Sequence, residues 1–247
     1  MIICFFLQIK IKIKMPNYGD PDYWEERYKN QDGKTFDWLE DYETLKSIMS
    51  DFKIDKGSCK VLNLGCGNAE MSEDMYKDGY LNNYNIDISK EVIDQMKERN
   101  SENKIICKFF YNFLGEVMDV RDLKYENDFF DMVVDKSTID AILCGECSFI
   151  NVAKMLKEVD RVLKVDGIYM IISYGQPENR VFHLERNYLN FEVTIYTIKK
   201  DYQIDDEDEE KEKFEKVSIF IIIFKDTLCL CLQKNKKWRC EGKRKKL

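Results

Sequence analysis

Histidine is nearly missing from these 247 residues, with His183 the single example. That scarcity leaves any metal site to cysteines and carboxylates. A structural zinc needs about four ligands at matched spacings, and the nine cysteines are scattered instead. Cys144 and Cys147 form a lone C-x-x-C, and Cys229 and Cys231 a lone C-x-C. No metal is expected, and the cysteines read as free thiols of a reducing cytosol. Basic charge is also short: 39 Lys and Arg against 46 Asp and Glu give a net charge of −7. This argues against a general nucleic-acid binder, because phosphate backbones are held by an excess of Lys and Arg. Long apolar runs are lacking too. The opening "MIICFFLQIKIKIK" has no basic n-region, a short apolar stretch and no small-residue cleavage site, so it is no signal peptide. The run from Ser218 to Leu232 is broken by Lys225 and Asp226 and is too short to span a bilayer. A soluble, cytoplasmic protein without a membrane partner is expected.

What the chain does have is apolar content of 44% and aromatic content of 13%, sufficient for the core of one large α/β domain. The organisation reads as a leader over 1–14, one domain over 15–232 and a basic tail over 233–247. Leu45, Ile48, Met49 and Phe52 recur at helical spacing ahead of a strand at Lys60 to Leu64. "YNIDIS" (Tyr84 to Ser89) is a second strand, after which Ser89 caps a helix with inner face Val92, Ile93 and Met96. "GEVMDV" gives a third strand and "FFDMVVDK" a fourth, apolar on both faces. Val152, Met155, Leu156, Val159 and Leu163 mark a further helix, then an Asp166-Gly167 turn and the strand "IYMIIS". Strands alternating with helices imply a doubly wound, Rossmann-like, mostly parallel sheet covered on both faces. Ligands in such sheets sit beyond the carboxyl ends of the strands, at the switch point. Two segments fit less smoothly: an insertion at 101–115 and the C-terminal third. There "FEVTIYTIKK" and "KVSIFIIIF" form an antiparallel hairpin of irregular sequence around an acidic, solvated loop at 201–215.

The loop "VLNLGCGNAE" (Val61 to Glu70) is where the chemistry starts. A dinucleotide fingerprint needs a third glycine, and Glu70 stands in its place. An acid there also repels a pyrophosphate. No G-K-[ST] follows, which excludes a P-loop. S-adenosylmethionine brings an adenosine, a sulfonium and an amino-acid end but no phosphate. Gly65 and Gly67 would let backbone pass close to that end. Asp87 closes the second strand, 22 positions after Gly65, where a carboxylate accepts from both ribose hydroxyls. NAD enzymes use the same device, so Asp87 indicates ribose without choosing the cofactor. At the end of the third strand Asp119 and Val120 could face adenine, the carboxylate accepting from the exocyclic amine and the Val120 N–H donating to a ring nitrogen.

With these residues placed, the chain resembles the class I (seven-β-strand) S-adenosylmethionine-dependent methyltransferases. Within them it is similar to the lysine methyltransferases of translation elongation factor 1-alpha. The resemblance rests on "YWEERY", "FDWL", "LGCGNAE", "NIDIS", "MDVRDL", "DKSTIDAIL" and "YGQPENRVFHL", between Tyr18 and Lys200. It implies a seven-stranded sheet, S-adenosyl-L-methionine as cofactor and a protein substrate, with elongation factor 1-alpha the example. It further implies that Trp24, Tyr28 and Trp38 line the pocket from an N-terminal segment folded over it. Gly65, Asp87 with Ile88, Asp119 with Val120, and Lys136 would complete the pocket. Asp135 and Asp140 would orient the turn after the fourth strand, or a substrate lysine. His183 falls in the substrate-side segment, with a solvent-facing or capping role as the plainer reading. No N/D-P-P-Y/F follows the fourth strand, and "DKST" stands there instead, which supports the lysine branch. Methylation of a small molecule or RNA on the same fold, an inactive cofactor-binding scaffold and a dinucleotide oxidoreductase are the competing readings. The insertion and "SIFIIIFKDTLCLCLQKNKK" depart from the family's connection and last strand.

Overall fold

The computed structural model describes residues 16–31, 34–101, 115–199 and 217–225, with residues 197–199 and 217–225 given by backbone alone. The leader, residues 102–114 of the insertion, the acidic run and the basic tail lie outside the described residues. Five strands run parallel: β1 (Lys60–Leu64), β2 (Asn82–Asp87), β3 (Glu116–Val117), β4 (Phe130–Lys136) and β5 (Leu163–Ser173). β6 (Phe191–Lys199) and β7 (Val217–Lys225) add an antiparallel edge, β7 against β5 and β6 against β7. The order across the sheet is β3-β2-β1-β4-β5-β7-β6. Seven helices are described: α1 (Pro21–Lys29), α2 (Tyr42–Met49), α3 (Met71–Lys77), α4 (Lys90–Ser101), α5 (Thr138–Leu143), α6 (Ser148–Val162) and α7 (Pro177–Leu184).

Both faces of the sheet are covered, and the period of two along each strand sorts residues between them. Leu62 and Leu64 of β1, Val133 of β4, and Tyr169 and Ile171 of β5 pack with Val152, Met155, Leu156 and Val159 of α6. Their neighbours Val61, Met132, Val134, Ile168, Met170 and Ile172 face the other way, onto Leu45 and Met49 of α2 and Met71 and Met75 of α3. A mixed α/β fold around a parallel sheet is thus what the alternating pattern produces.

Several expectations need adjustment. The strand expected over "GEVMDV" shrinks to Glu116–Val117, because only Ile86 and Asp87 of β2 pair with it. The Asp119 carboxylate then accepts the Arg121 N–H, and the Asp119 carbonyl the Asp122 N–H, which bends the chain away. Leu163 belongs to β5, not to the preceding helix. The Asp166-Gly167 turn is a bulge inside β5: Asp166 has φ +61, and the register against β4 shifts between Phe130 and Met132. α1, α5 and α7 were not anticipated as helices. α1 carried a signal nonetheless, since Asp20 accepts the Asp22 N–H as N-cap and Pro21 opens the helix. The capping role of Ser89 holds: its Oγ accepts the Val92 N–H at 3.3 Å. Part of the C-terminal stretch that departs from the family pattern, Val217–Lys225, runs as β7.

Candidate active site

In the sheet order, β1 lies between β2 on one side and β4 on the other, so the chain switches direction between β1 and β4. A cavity of about 450 Å³ opens there, beyond the carboxyl ends of the strands. Its floor is the glycine loop. Gly65 and Gly67 have φ of +54° and +57°, a region that L side chains rarely adopt. A Cβ at Gly65 would come within 2.3 Å of the Thr138 Oγ1, and one at Gly67 within 2.9 Å of the Tyr28 hydroxyl oxygen. Thr138 is itself fixed, donating to the Leu64 carbonyl at 2.8 Å. The loop also positions Asp87, whose carboxylate accepts the Gly67 N–H at 3.0 Å and the Ser89 N–H at 2.9 Å. Burial pushes this carboxyl up to about 6, although those N–H groups favour its charged form.

The ends of the parallel strands supply the next wall. Asp119 and Val120 line the cavity after β3, and Lys136 does so at the end of β4. The Asp119 carboxylate is already engaged: Arg121 donates to both oxygens at 2.6–3.0 Å. Burial opposes ionisation of Asp119, but the Arg121 contacts outweigh it and hold the carboxyl below its usual range. An adenine amine would therefore share the Asp119 carboxylate with Arg121. The Lys136 ammonium donates to the Glu40 carbonyl at 3.2 Å and forms an ion pair with Asp37. Burial alone would bring it down to about 7, while the Asp37 carboxylate against it favours the charged form.

The three positioning candidates divide. Asp135 is fully buried and outside the cavity lining. It accepts the Thr138 and Ile139 N–H groups at the start of α5 and the Tyr169 hydroxyl at 3.0 Å. Burial pushes it up to about 7, so it acts as a fixed support for the β4–α5 turn. Asp140 does line the cavity, but its carboxylate accepts from Arg180, the Ser173 hydroxyl and the Tyr174 N–H. It ties α5 to the end of β5. His183 corrects the solvent-facing reading made of it. It does not line the cavity, nor is it solvent-facing: it is buried in α7, with its ring centroid 5.1 Å from that of Phe149. Burial, with Arg186 and Arg180 nearby, lowers its pKa.

The remaining side is an aromatic cover built from α1 and residues 34–40. Trp24 and Trp38 meet edge to face at 6.2 Å, Trp24 stacks on Tyr28 at 6.0 Å, and Phe36 meets Trp38 at 5.0 Å. The Arg27 guanidinium sits 5.1–5.7 Å from the rings of Trp24, Phe36 and Trp38, joining the two pieces. Polar contacts fasten the cover to the loops beneath. Glu25 accepts the Ser89 hydroxyl at 2.7 Å and the Glu91 N–H at 3.1 Å. Asn68, buried in the glycine loop, donates to the Lys34 carbonyl at 2.7 Å and accepts the Phe36 N–H at 3.2 Å. The structure thus brings Trp24, Tyr28, Trp38, Gly65, Gly67, Asp87, Ile88, Asp119, Val120 and Lys136 to one cavity.

A model of a methyltransferase domain matches residues 55–236. The chain belongs to that methyltransferase family. Its class is the S-adenosylmethionine-dependent one, and the residues present suit that cofactor. A buried strand-end carboxylate stands beside two glycines at positive φ that line the cavity, and the facing wall is aromatic and apolar. The methyltransferase is 40% identical over 161 residues to the mouse (Mus musculus) "eEF1A lysine and N-terminal methyltransferase", which covers 64% of this chain and 22% of the relative. It is 29% identical over 175 residues to the mouse "EEF1A lysine methyltransferase 4", 67% of this chain and 65% of that one. The chain therefore spans about a fifth of the length of the first of these relatives. Among solved structures, an S-adenosylmethionine-dependent methyltransferase of Methanosarcina mazei superposes with a TM-score of 0.54 at 17% identity, over 72% of this chain and 97% of that one. At that identity it speaks for the fold alone.

Four residues that hold the cover over the cavity were missed by reading the sequence: Glu25, Arg27, Asp37 and Asn68. Three of them lie inside the quoted motifs "YWEERY" and "FDWL", and Asn68 lies in "LGCGNAE". A polar side chain among aromatic rings, or following G-x-G, was the available signal. Among the described residues no group of three or more His, Cys, Asp or Glu is placed to hold a metal ion, and no helix is long and apolar enough to cross a membrane.

Proposed function

We propose that the chain transfers the methyl group of S-adenosylmethionine to the side-chain amine of a lysine in a protein, with translation elongation factor 1-alpha as substrate. The observation that carries this reading is the cavity itself. A glycine loop and Asp87 suit an adenosine, and an aromatic cover suits a sulfonium. When bound, the cofactor supplies an already activated methyl carbon. A substrate amine would take that carbon as the C–S bond breaks with its electron pair left on sulfur, and would then lose a proton.

The chain's own residues bind, align and exclude water, which suffices for an in-line displacement. Asp87 and the glycine loop hold the ribose end. Asp119 and Val120 border the adenine end, and Trp24, Tyr28 and Trp38 shield the sulfonium, at roughly 0.5–2 kcal/mol per cation–π contact. A substrate lysine must arrive neutral, and the apolar approach lowers its pKa. Tyr174 lines the cavity while 71% exposed, so it marks the mouth through which that lysine enters. The lysine specificity is supported by the names of the two relatives and by "DKST" where amide and DNA-amine enzymes carry a proline motif. In this reading β6 and β7 complete the seven-stranded class I sheet, one domain extends over 15–232, and the protein works in the cytosol beside its substrate.

The test is transfer of tritiated methyl from S-adenosylmethionine to recombinant elongation factor 1-alpha. Labelling is expected, and its loss in Asp87→Ala. Absence of label in every protein of a cell lysate overturns the reading, and label that nuclease removes moves it to RNA.

A further inference from the structure

The charged side chains that line the cavity are almost all matched. Arg121 pairs with Asp119, and Arg180 with Asp140. Lys136 pairs with Asp37, which stands between Phe36 and Trp38 in the aromatic cover. Asp87 is held by backbone N–H groups and has no cationic partner among the described residues. The lining therefore carries one uncompensated carboxylate. S-adenosylmethionine has a net charge of +1 from its sulfonium, ammonium and carboxylate. S-adenosylhomocysteine, the product, has lost the sulfonium and is neutral overall.

Lys136 is the weak point of that balance. Its side chain is only 10% exposed, so its charge is poorly screened by solvent. Left alone, an ammonium in the wall would repel a sulfonium and would not affect a thioether sulfur in the same way. Asp37 removes that repulsion. Two of the ammonium's three donors go to Asp37 and the Glu40 carbonyl, both within the cover, so it has partners without any contact to the cofactor.

We propose that Asp37, by neutralising Lys136, sets the preference of the cavity for the cationic methyl donor over the neutral product. Lys136 is accordingly a positioning residue that holds the 36–40 segment in place. This rests on the cofactor assignment above.

Calorimetric dissociation constants for S-adenosylmethionine and S-adenosylhomocysteine, measured on the full chain, test it. Asp37→Asn keeps the shape and removes the charge. It is expected to shift the ratio of the two constants about tenfold in favour of the product, a change of about 1.4 kcal/mol. Lys136→Met leaves the Asp37 carboxylate uncompensated and is expected to shift the ratio the opposite way. The double variant is expected to return within about twofold of the parent, since the two changes act on one pair. An unchanged ratio in Asp37→Asn overturns the inference. So does an equal loss of both ligands in Lys136→Met, which would mark Lys136 as a direct ligand of the shared carboxylate end. Asp37 is 32% exposed, so its variant is expected to fold and carries the test if Lys136→Met does not. Binding of neither ligand by the parent chain overturns the cofactor assignment together with this inference.

Discussion

The sheet side of the cavity is made of backbone and buried carboxylates, whereas the N-terminal side is made of aromatic rings fastened by polar side chains. On the sheet side, the positions of Gly65, Gly67 and Asp87 follow from β1 and β2, which pair residue for residue from Lys60 opposite Asn82 to Leu64 opposite Ile86. Nothing there can move without disturbing the core. On the other side, Trp24, Phe36 and Trp38 gain their places from Arg27 between them and from three anchoring contacts, Glu25 with Ser89, Phe36 with Asn68, and Asp37 with Lys136. Each anchor reaches a loop that also forms the floor: Asn68 lies in the glycine loop, Ser89 two residues after Asp87, and Lys136 at the end of β4. The cover is therefore only as well ordered as those few contacts make it, while the floor inherits the stability of the whole sheet. The comparison teaches that affinity for the cofactor can be altered on one side without loss of fold, and scarcely on the other.

The largest effect should come from breaking the sheet side. Gly65→Val places a branched side chain at φ +54°, with Thr138 Oγ1 only 2.3 Å from the new Cβ. The backbone strain alone is about 1–3 kcal/mol, and the clash adds to it. Calorimetry should show cofactor binding lost and thermal unfolding a lower midpoint. A midpoint equal to the parent's would mean that the loop is free to rearrange.

Next comes a support beneath the same side. The Asp135 and Asp87 carboxyls titrate near 7 and 6, above the unfolded value. A raised carboxyl contributes stability that is fully present below the unfolded pKa of about 4 and lost as pH rises through the folded one. Asp135→Asn removes one of these and keeps its acceptor for the α5 N–H groups. Its stability relative to the parent should therefore rise between about pH 4 and 7, by on the order of 1–3 kcal/mol. A pH-independent difference in thermal midpoints would sink the assignment. Asp87 adds a binding signature: ribose hydroxyls prefer its ionised form, so cofactor affinity should weaken as pH falls through about 6.

On the aromatic side, Asn68→Ala leaves the Lys34 carbonyl and Phe36 N–H without their clamp. The cost is about 1–2 kcal/mol, or roughly tenfold in cofactor affinity. Most of it should appear in binding and little in the unfolding midpoint, which is the contrast between the two sides in one variant. Equal loss in both would make the cover part of the cooperative core. The smallest effect is expected for His183→Leu, which touches neither side. Cofactor dissociation constants should match the parent's, and a severalfold change would return this residue to the site.

Much of this was legible from the chain alone, for identifiable reasons. Lys60 to Leu64 was recovered residue for residue because Val61, Leu62 and Leu64 form a short, mostly apolar run that ends at a glycine loop. Asp87 was legible as an acid after an apolar stretch, although the strand expected over Tyr84 to Ser89 runs two residues earlier, Asn82–Asp87. The short strand at Glu116–Val117 and the bulge at Asp166 were not, since both depend on which neighbouring residues are left to pair. His183 misled because one residue on an amphipathic helix reads alike whether its face meets solvent or Phe149.

By itself, then, the order of residues determined the parallel sheet, the switch point and the strand-end residues facing it, because local periodicity and glycine placement are short-range properties. Only the tertiary structure decided that Asn68 clamps residues 34 and 36, and that Asp37 lies against Lys136, some hundred positions away. Those contacts join segments with no local pattern in common. They exist because the loops beneath carry buried polar groups, Asn68 and the Lys136 ammonium, that have to find partners in the segment that folds over them.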